Sequence, residues 1–278
     1  MNDTPANQGE KQDEFFVITE LFARRMAYPL ALLFRRLGMT ANHVTILGGM
    51  LWVLTVPSII VAGRLWAEGQ TGIAQALLIL TVALWNLGYV LDVVDGSLAR
   101  MTGTMSSGGS FLDFCFHLLF HPMFLCSVGV FLFLVTDQLL YLPLAVLATF
   151  TGWGLSFSAK EHVLCEHIAK GDTEPSRLAQ DERYRIYIDS VRMREPATTK
   201  RGRRYLTALV NEVFCFPGQY SLVSLVVILD LLLAAWGLSS RFPLLRIAFV
   251  VLTVVPMMRV PFRLRREFKT LSRYDALR

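Results

Sequence analysis

Apolar and polar positions in this 278-residue chain separate into long blocks instead of alternating. Apolar runs cover about 44–63, 73–94, 111–135, 138–158, 213–236 and 243–262. Each is long enough for a helix across a hydrocarbon layer, which takes about 20 residues. Backbone hydrogen bonding in lipid allows only helices or closed barrels, and the period-two alternation of a barrel strand is missing. The pattern therefore predicts an all-α integral membrane protein with six transmembrane helices. Ahead of them, residues 15–40 mix apolar stretches with the pairs Arg24-Arg25 and Arg35-Arg36, the mark of an interfacial amphipathic helix on anionic lipid. Residues 1–14 are polar, lack periodicity and read as a disordered tail, with no signal peptide among them.

Composition strengthens this picture. The chain is 54% hydrophobic and 18% charged, against about 25% charged in an ordinary soluble domain. That balance excludes a disordered chain and argues strongly against a water-soluble globule. The net charge of +5 could suggest nucleic acid, but the basic residues flank apolar runs, as cytoplasmic loops do under the positive-inside rule. Membrane lipid, not nucleic acid, is the expected partner. Connections near 64–71, 136–137 and 237–242 carry few basic residues, whereas Arg24, Arg25, Arg35, Arg36, Arg100, the stretch 160–206 and the tail 263–278 lie on the other side. That asymmetry places both termini in the cytoplasm. The expected layout is a membrane domain over 41–262, a cytoplasmic loop over 160–206 and a basic tail over 263–278. The loop holds 11 Lys/Arg and 8 Asp/Glu. Cys115, Cys126, Cys165 and Cys215 have no short paired spacing, so disulfides are not expected.

Charged side chains inside membrane helices are costly and usually functional. Asp92 and Asp95 stand i,i+3 at the end of the second run, and Asp113 and His117 stand i,i+4 at the start of the third. Each pair shares a helical face. The connection from Gly96 to Ser110 is short and rich in Gly and Ser, which predicts an antiparallel hairpin with four ligand-type side chains at its cytoplasmic end. Clustered carboxylates repel unless a cation intervenes, and hard divalent ions favour carboxylate oxygen while leaving room for phosphate. Arg100 adds a cation suited to phosphate oxygens. These parts describe a diphosphate site that uses Mg²⁺ or Mn²⁺, one ion or two.

The run Asp92-x2-Asp95-Gly96-x2-Ala99-Arg100-x8-Gly109-x3-Asp113-x3-His117 resembles the signature of the CDP-alcohol phosphotransferase family, D-x2-D-G-x2-A-R-x8-G-x3-D-x3-D, at seven of its eight fixed positions. The lead-in PLALLFRRLGMTANHVTILGG, with Asn42 and Thr45, is similar to the stretch before the family's first span. The resemblance implies a multi-pass enzyme, expected in a bacterial inner membrane with a cytoplasmic active site. Such an enzyme transfers a substituted phosphate group from CDP-diacylglycerol or another CDP-alcohol to an alcohol acceptor in phospholipid biosynthesis, releasing CMP. It further implies that Asp92, Asp95, Asp113 and the residue at 117 hold metal, that Gly96, Ala99, Arg100, Gly109, Asn42 and Thr45 line the CDP moiety, and that the chain forms a homodimer.

The last position departs from the pattern. Where the family has a fourth aspartate, assigned as general base, this chain has His117. Imidazole can serve as a base near neutrality, and it is a better partner for Mn²⁺ than for Mg²⁺. Three outcomes stay open at this point: an enzyme with a histidine base, an enzyme with altered acceptor or metal preference, and a CDP-lipid binder without turnover. A transporter would need polar residues through the depth of several spans, whereas these acids cluster at one end. Lys160 reads as a snorkelling lysine, the group Glu161, His162, Cys165, Glu166 and His167 as an ordinary amphipathic helix, and Asp230 as an interfacially solvated acid. His121, one turn past His117, is expected to line the same cavity.

Overall fold

The computed structural model describes residues 22–150, 212–214, 216–239 and 241–275. The expected disordered tail 1–14, residues 15–21, the loop 160–206 with Lys160 and the 161–167 group, Cys165 and Cys215 lie outside them. The described residues form helices α1 (Arg24–Arg36), α2 (Ala41–Ala67), α3 (Thr71–Thr102), α4 (Ser107–Thr136), α5 (Tyr141–Thr149), α6 (Phe216–Ala235) and α7 (Pro243–Asp275). No strand occurs among them. Five of the helices are long and apolar enough to cross a membrane: Ala41–Ala67, Thr71–Thr102, Gly108–Thr136, Gly218–Ala235 and Pro243–Lys269. The chain is thus an integral membrane protein. Of the expected span 138–158, the described part is α5; residues 151–158 lie outside. The basic tail is not a separate element, because α7 carries the sequence RLRREFK onward as helix to Asp275.

Glycine decides how closely the helices approach. Gly48 and Gly49 on α2 and Gly88 on α3 are buried. A Cβ at Gly48 would lie 3.3 Å from the Gly88 carbonyl oxygen and from Leu91 Cβ, and a Cβ at Gly49 would fall on the Phe116 ring of α4. Small residues of this kind let membrane helices meet at backbone distance. As a result α2 is the hub: α3 and α4 both pack on it.

This corrects the expected hairpin. The backbones of α3 and α4 make little direct approach, and their side chains meet across the space between them, as where Trp85 packs edge-on against Phe124 at 4.9 Å. The flat faces of α2 supply the better packing, and the acids of α3 and α4 are left facing each other. The connection between these helices is also shorter than its composition suggests. Helix α3 continues to Thr102, and only Gly103–Ser106 lie between it and α4. Gly103 takes φ 67°, where it donates to Arg100 O and Thr104 donates to Ala99 O, a Schellman closure that a Cβ would strain. Ser106 then accepts from Gly109 N at 3.1 Å and starts α4.

Helix α1 lays the buried Ala27 and Ala31 against a cluster of Val44, Val90, Leu91, Val94 and Leu98, and Arg24, Arg25, Arg35 and Arg36 are exposed. At the opposite end of the bundle, Asp230 departs from the expectation of interfacial solvation. It is 2% exposed and accepts from the Leu244 and Leu245 backbone nitrogens at 3.1 and 2.8 Å. Its charge is placed on the first turn of α7, where otherwise unpaired N–H groups and the helix dipole favour an anion. Nearby, Arg246 donates to the Tyr141 hydroxyl at 2.7 Å, tying α7 to α5.

Gly129 sets the contact between α4 and α5. A Cβ there would lie 2.5 Å from Ala145 Cβ and 3.0 Å from Ala145 Cα, so backbone must move. Gly129→Ala is expected to lower unfolding stability by about 1–3 kcal/mol, the usual cost of overpacking. Thermal unfolding in detergent measures it.

Candidate functional site

The candidate site lies where α2 and α4 begin and α3 ends. Asp92 is half-buried on α3, and Asp113 and His117 stand one turn apart on α4. His117 Nε2 is 3.0 Å from Asp92 Oδ1 and 3.2 Å from Asp113 Oδ1. One nitrogen therefore bridges carboxylates from two helices. The shared faces read from the i,i+3 and i,i+4 spacings explain half of this; the crossing of α3 and α4 over α2 explains the rest.

Asp92, Asp113 and His117 can each offer a ligand atom, and these atoms lie within 4.8 Å of one another. Donors around a small divalent ion at about 2.1 Å sit about 3.0 Å apart in neighbouring octahedral positions. The observed N–O distances of 3.0 and 3.2 Å match that spacing, so the residues fit a divalent ion. Two carboxylates and an imidazole are a mixed oxygen and nitrogen set, which suits Mn²⁺ better than Mg²⁺.

Asp95 is not part of that trio. Its side chain is buried, and Oδ2 accepts from the Thr45 hydroxyl at 2.5 Å. Thr45, expected beside CDP, is itself only 8% exposed and stands behind Asp95. The position of α2 against α3 separates Asp92 and Asp95 in this way: one faces α4, the other α2.

The remaining predicted residues stand outside the trio. Arg100 is exposed and folds back along α3, so that a Cβ at Gly96 would meet its Nη1 at 3.5 Å, and its Nη2 lies 3.4 Å from Ser97 Oγ. Ala99 is half-buried on the same turn of helix. A Cβ at Gly109 would lie 3.0 Å from Asn42 Oδ1, so Gly109 lets the first turns of α2 and α4 meet. Two helix N-termini therefore meet at Gly109 and Asn42, and both favour anions. Thr40 caps α2, accepting from His43 N while its own N–H donates to His43 Nδ1.

Sequence reasoning missed the aromatic floor of the site. The His117 ring lies 5.6 Å from Trp52 on α2 and 5.6 Å from His121, which stacks on it at 22°. Tyr220 on α6 is parallel to Trp52 at 6.2 Å and lies 5.9 Å from His121. His121 lies against His117 but is 7% exposed, so it sits in the core and does not line a cavity as expected, whereas nothing in the apolar sequence of α6 distinguishes Tyr220.

Paired carboxylates and an imidazole at one end of a bundle of apolar helices form a cluster that could hold a divalent ion. Residues 38–171 match the CDP-alcohol phosphatidyltransferase family. That stretch includes Asn42, Thr45, Asp92, Asp95, Gly96, Ala99, Arg100, Gly109, Asp113 and His117, while α6 and α7 lie beyond it. No curated protein and no solved structure matches the chain.

Proposed function

We propose that this protein is a metal-dependent phosphotransferase. It moves a phosphatidyl or other phospho-alcohol group from a CDP-linked donor, CDP-diacylglycerol first among the candidates, to an alcohol hydroxyl and releases CMP. The observation that carries the proposal is the meeting of Asp92, Asp113 and His117 within a segment of the CDP-alcohol phosphatidyltransferase family. Asp92, Asp113 and His117 Nε2 would hold a divalent ion, with Asp95 close behind. Bound there, the ion supplies Lewis-acid neutralisation of the diphosphate and of the departing CMP.

The chain's own groups account for the other steps. Arg100 and the first turns of α2 and α4 bind phosphate oxygens and orient the diphosphate. The acceptor oxygen attacks the phosphorus distal to cytidine, and the bond from that phosphorus to the CMP oxygen breaks. A nitrogen that ligates an ion has no lone pair for a proton, so the hydroxyl proton passes to a carboxylate. Asp113 is the most exposed of the three ligands, its side chain 43% accessible against 21% for Asp92, and it takes that role. A second reading makes His117 the base: its contact with two carboxylates would stabilise an imidazolium. The two readings differ in one result. With His117 as ligand, His117→Ala weakens Mn²⁺ binding and turnover together; with His117 as base, only turnover falls.

The basic asymmetry of the sequence supports a cytoplasmic site and an interfacial position for α1. Helix α5 starts at the far end, where Tyr141 meets Arg246, and α6 starts at the site end.

The test is CMP release from CDP-diacylglycerol by the purified full-length chain, over a panel of alcohols with Mg²⁺ or Mn²⁺. Release with at least one alcohol, abolished by EDTA, is expected. Tight binding of CDP-diacylglycerol with no release for any alcohol would overturn the transferase reading in favour of a binding protein. Thr45→Val, which takes the hydroxyl partner from the buried Asp95 Oδ2, is expected to lower unfolding stability by about 1–3 kcal/mol, the cost of leaving a buried polar atom without that partner; thermal unfolding in detergent measures it.

A further inference from the structure

Besides ligand atoms, a metal-binding imidazole needs a fixed ring plane, usually set by a hydrogen bond on its second nitrogen. Here the rings of three helices gather beside His117. Trp52 and His121 each lie 5.6 Å from it. Tyr220 backs both, parallel to Trp52 and 5.9 Å from His121, and packs on Phe124 at 4.3 Å. These residues are 2%, 7% and 1% exposed for Trp52, His121 and Tyr220, so they form part of the core and do not line the opening.

The platform is anchored on three helices. Trp52 Nε1 donates to the Trp85 carbonyl at 3.1 Å. Trp85 Nε1 and Asn86 Nδ2 both donate to Ser224 Oγ, at 2.6 and 2.7 Å, and Ser224 donates to the Tyr220 carbonyl at 2.7 Å. This polar knot fixes α6 to α3 one turn below Tyr220. Polar groups that bond across apolar helices set register, since sliding would leave them unpaired in lipid.

We propose that Trp52, His121 and Tyr220 are positioning residues that hold the His117 imidazole with Nε2 between Asp92 and Asp113, so that the site is built for an imidazole at 117. Tyr220 thereby gives α6, which lies beyond the family segment, a part in the metal site. An aspartate at 117 would end one bond short of the Nε2 position and would leave the ring faces with nothing to pack on. The inference rests on the reading of His117 as a metal ligand.

The test is Mn²⁺ affinity of the purified full-length chain in detergent without substrate, read by electron paramagnetic resonance, with thermal unfolding of each variant alongside. Tyr220→Leu and His121→Leu are each expected to weaken Mn²⁺ binding about three- to tenfold, the affinity worth of one immobilised side chain. Tyr220→Phe and His121→Phe keep a ring and should bind within about twofold of wild type. Wild-type affinity in both leucine variants would overturn the platform. So would a His121→Phe loss as large as that of His121→Leu, which would make His121 a ligand in its own right. A wild-type chain that binds no Mn²⁺ overturns it as well. Failure of the transferase reading is separate: a chain with the expected Mn²⁺ pattern but no CMP release refutes transfer and leaves the platform standing.

Discussion

Asp113→Asn lowers CMP release by about 100-fold or more while the protein stays folded. The substitution keeps the shape of the side chain and removes its charge, so packing on α4 is preserved. Two contributions are lost together. One is an anionic member of the set with Asp92 and His117 that could hold a divalent ion. The other is the carboxylate proposed to accept the hydroxyl proton. Loss of a single group aimed at transition-state charge typically costs 10²- to 10³-fold, which is the basis of the magnitude. His117 Nε2, 3.2 Å from Asp113, keeps Asp92 as a partner, so the melting temperature is expected to move little. Initial rates at saturating Mn²⁺, with unfolding followed on the same preparations, check both halves. A rate within threefold of wild type would remove Asp113 from the chemistry.

Gly88→Ala has the second largest expected effect, although Gly88 touches no ligand. A Cβ there would fall on the edge of the Trp52 indole, 2.5 Å from Cδ1, and 3.2 Å from the Gly48 carbonyl oxygen. Neither neighbour is the free end of a flexible chain. Trp52 is 2% exposed, bonded to the Trp85 carbonyl and packed on His117, Phe120 and Tyr220. Either α2 and α3 separate or Trp52 leaves its place. Stability should fall by about 1–3 kcal/mol, and Mn²⁺ affinity should fall with it because the ring under His117 moves. Gly72→Ala is the control: a Cβ at Gly72 on the same helix meets nothing within 4 Å. Equal stability of the two variants would show that the approach of α2 to α3 does not depend on Gly88.

Much of this was readable from residue order alone. Apolar runs locate membrane helices because lipid leaves the backbone few alternatives, and i,i+3 and i,i+4 spacing places Asp92 with Asp95 and Asp113 with His117. The helix pairing was not readable. Gly96 and the Gly-Ser composition after it suggest a short connection over Gly96–Ser110, yet helix continues to Thr102 and the turn is only four residues, because glycine and serine are tolerated in a packed helix. The split between Asp92 and Asp95 depends on the approach of α2, which rests on Gly48 and Gly49, two glycines indistinguishable by composition from any others. Asp230 looked interfacial because sequence gives depth along a helix but not the neighbour that caps it. Tyr220 is the clearest case: its proposed role depends on a polar knot that spans 138 residues of chain, Asn86 to Ser224, for which local pattern holds no signal.

The central claim is that Asp92, Asp113 and His117 hold the ion on which phosphotransfer depends. Its most direct test is a parallel Mn²⁺ titration of wild type and His117→Ala, with metal binding and CMP release from CDP-diacylglycerol measured on the same samples. The half-saturating Mn²⁺ concentration for release should coincide with that for binding in wild type, and both should shift upward together, by about tenfold or more, in His117→Ala. CMP release that ignores EDTA, or an unchanged Mn²⁺ dependence in His117→Ala, would contradict the account.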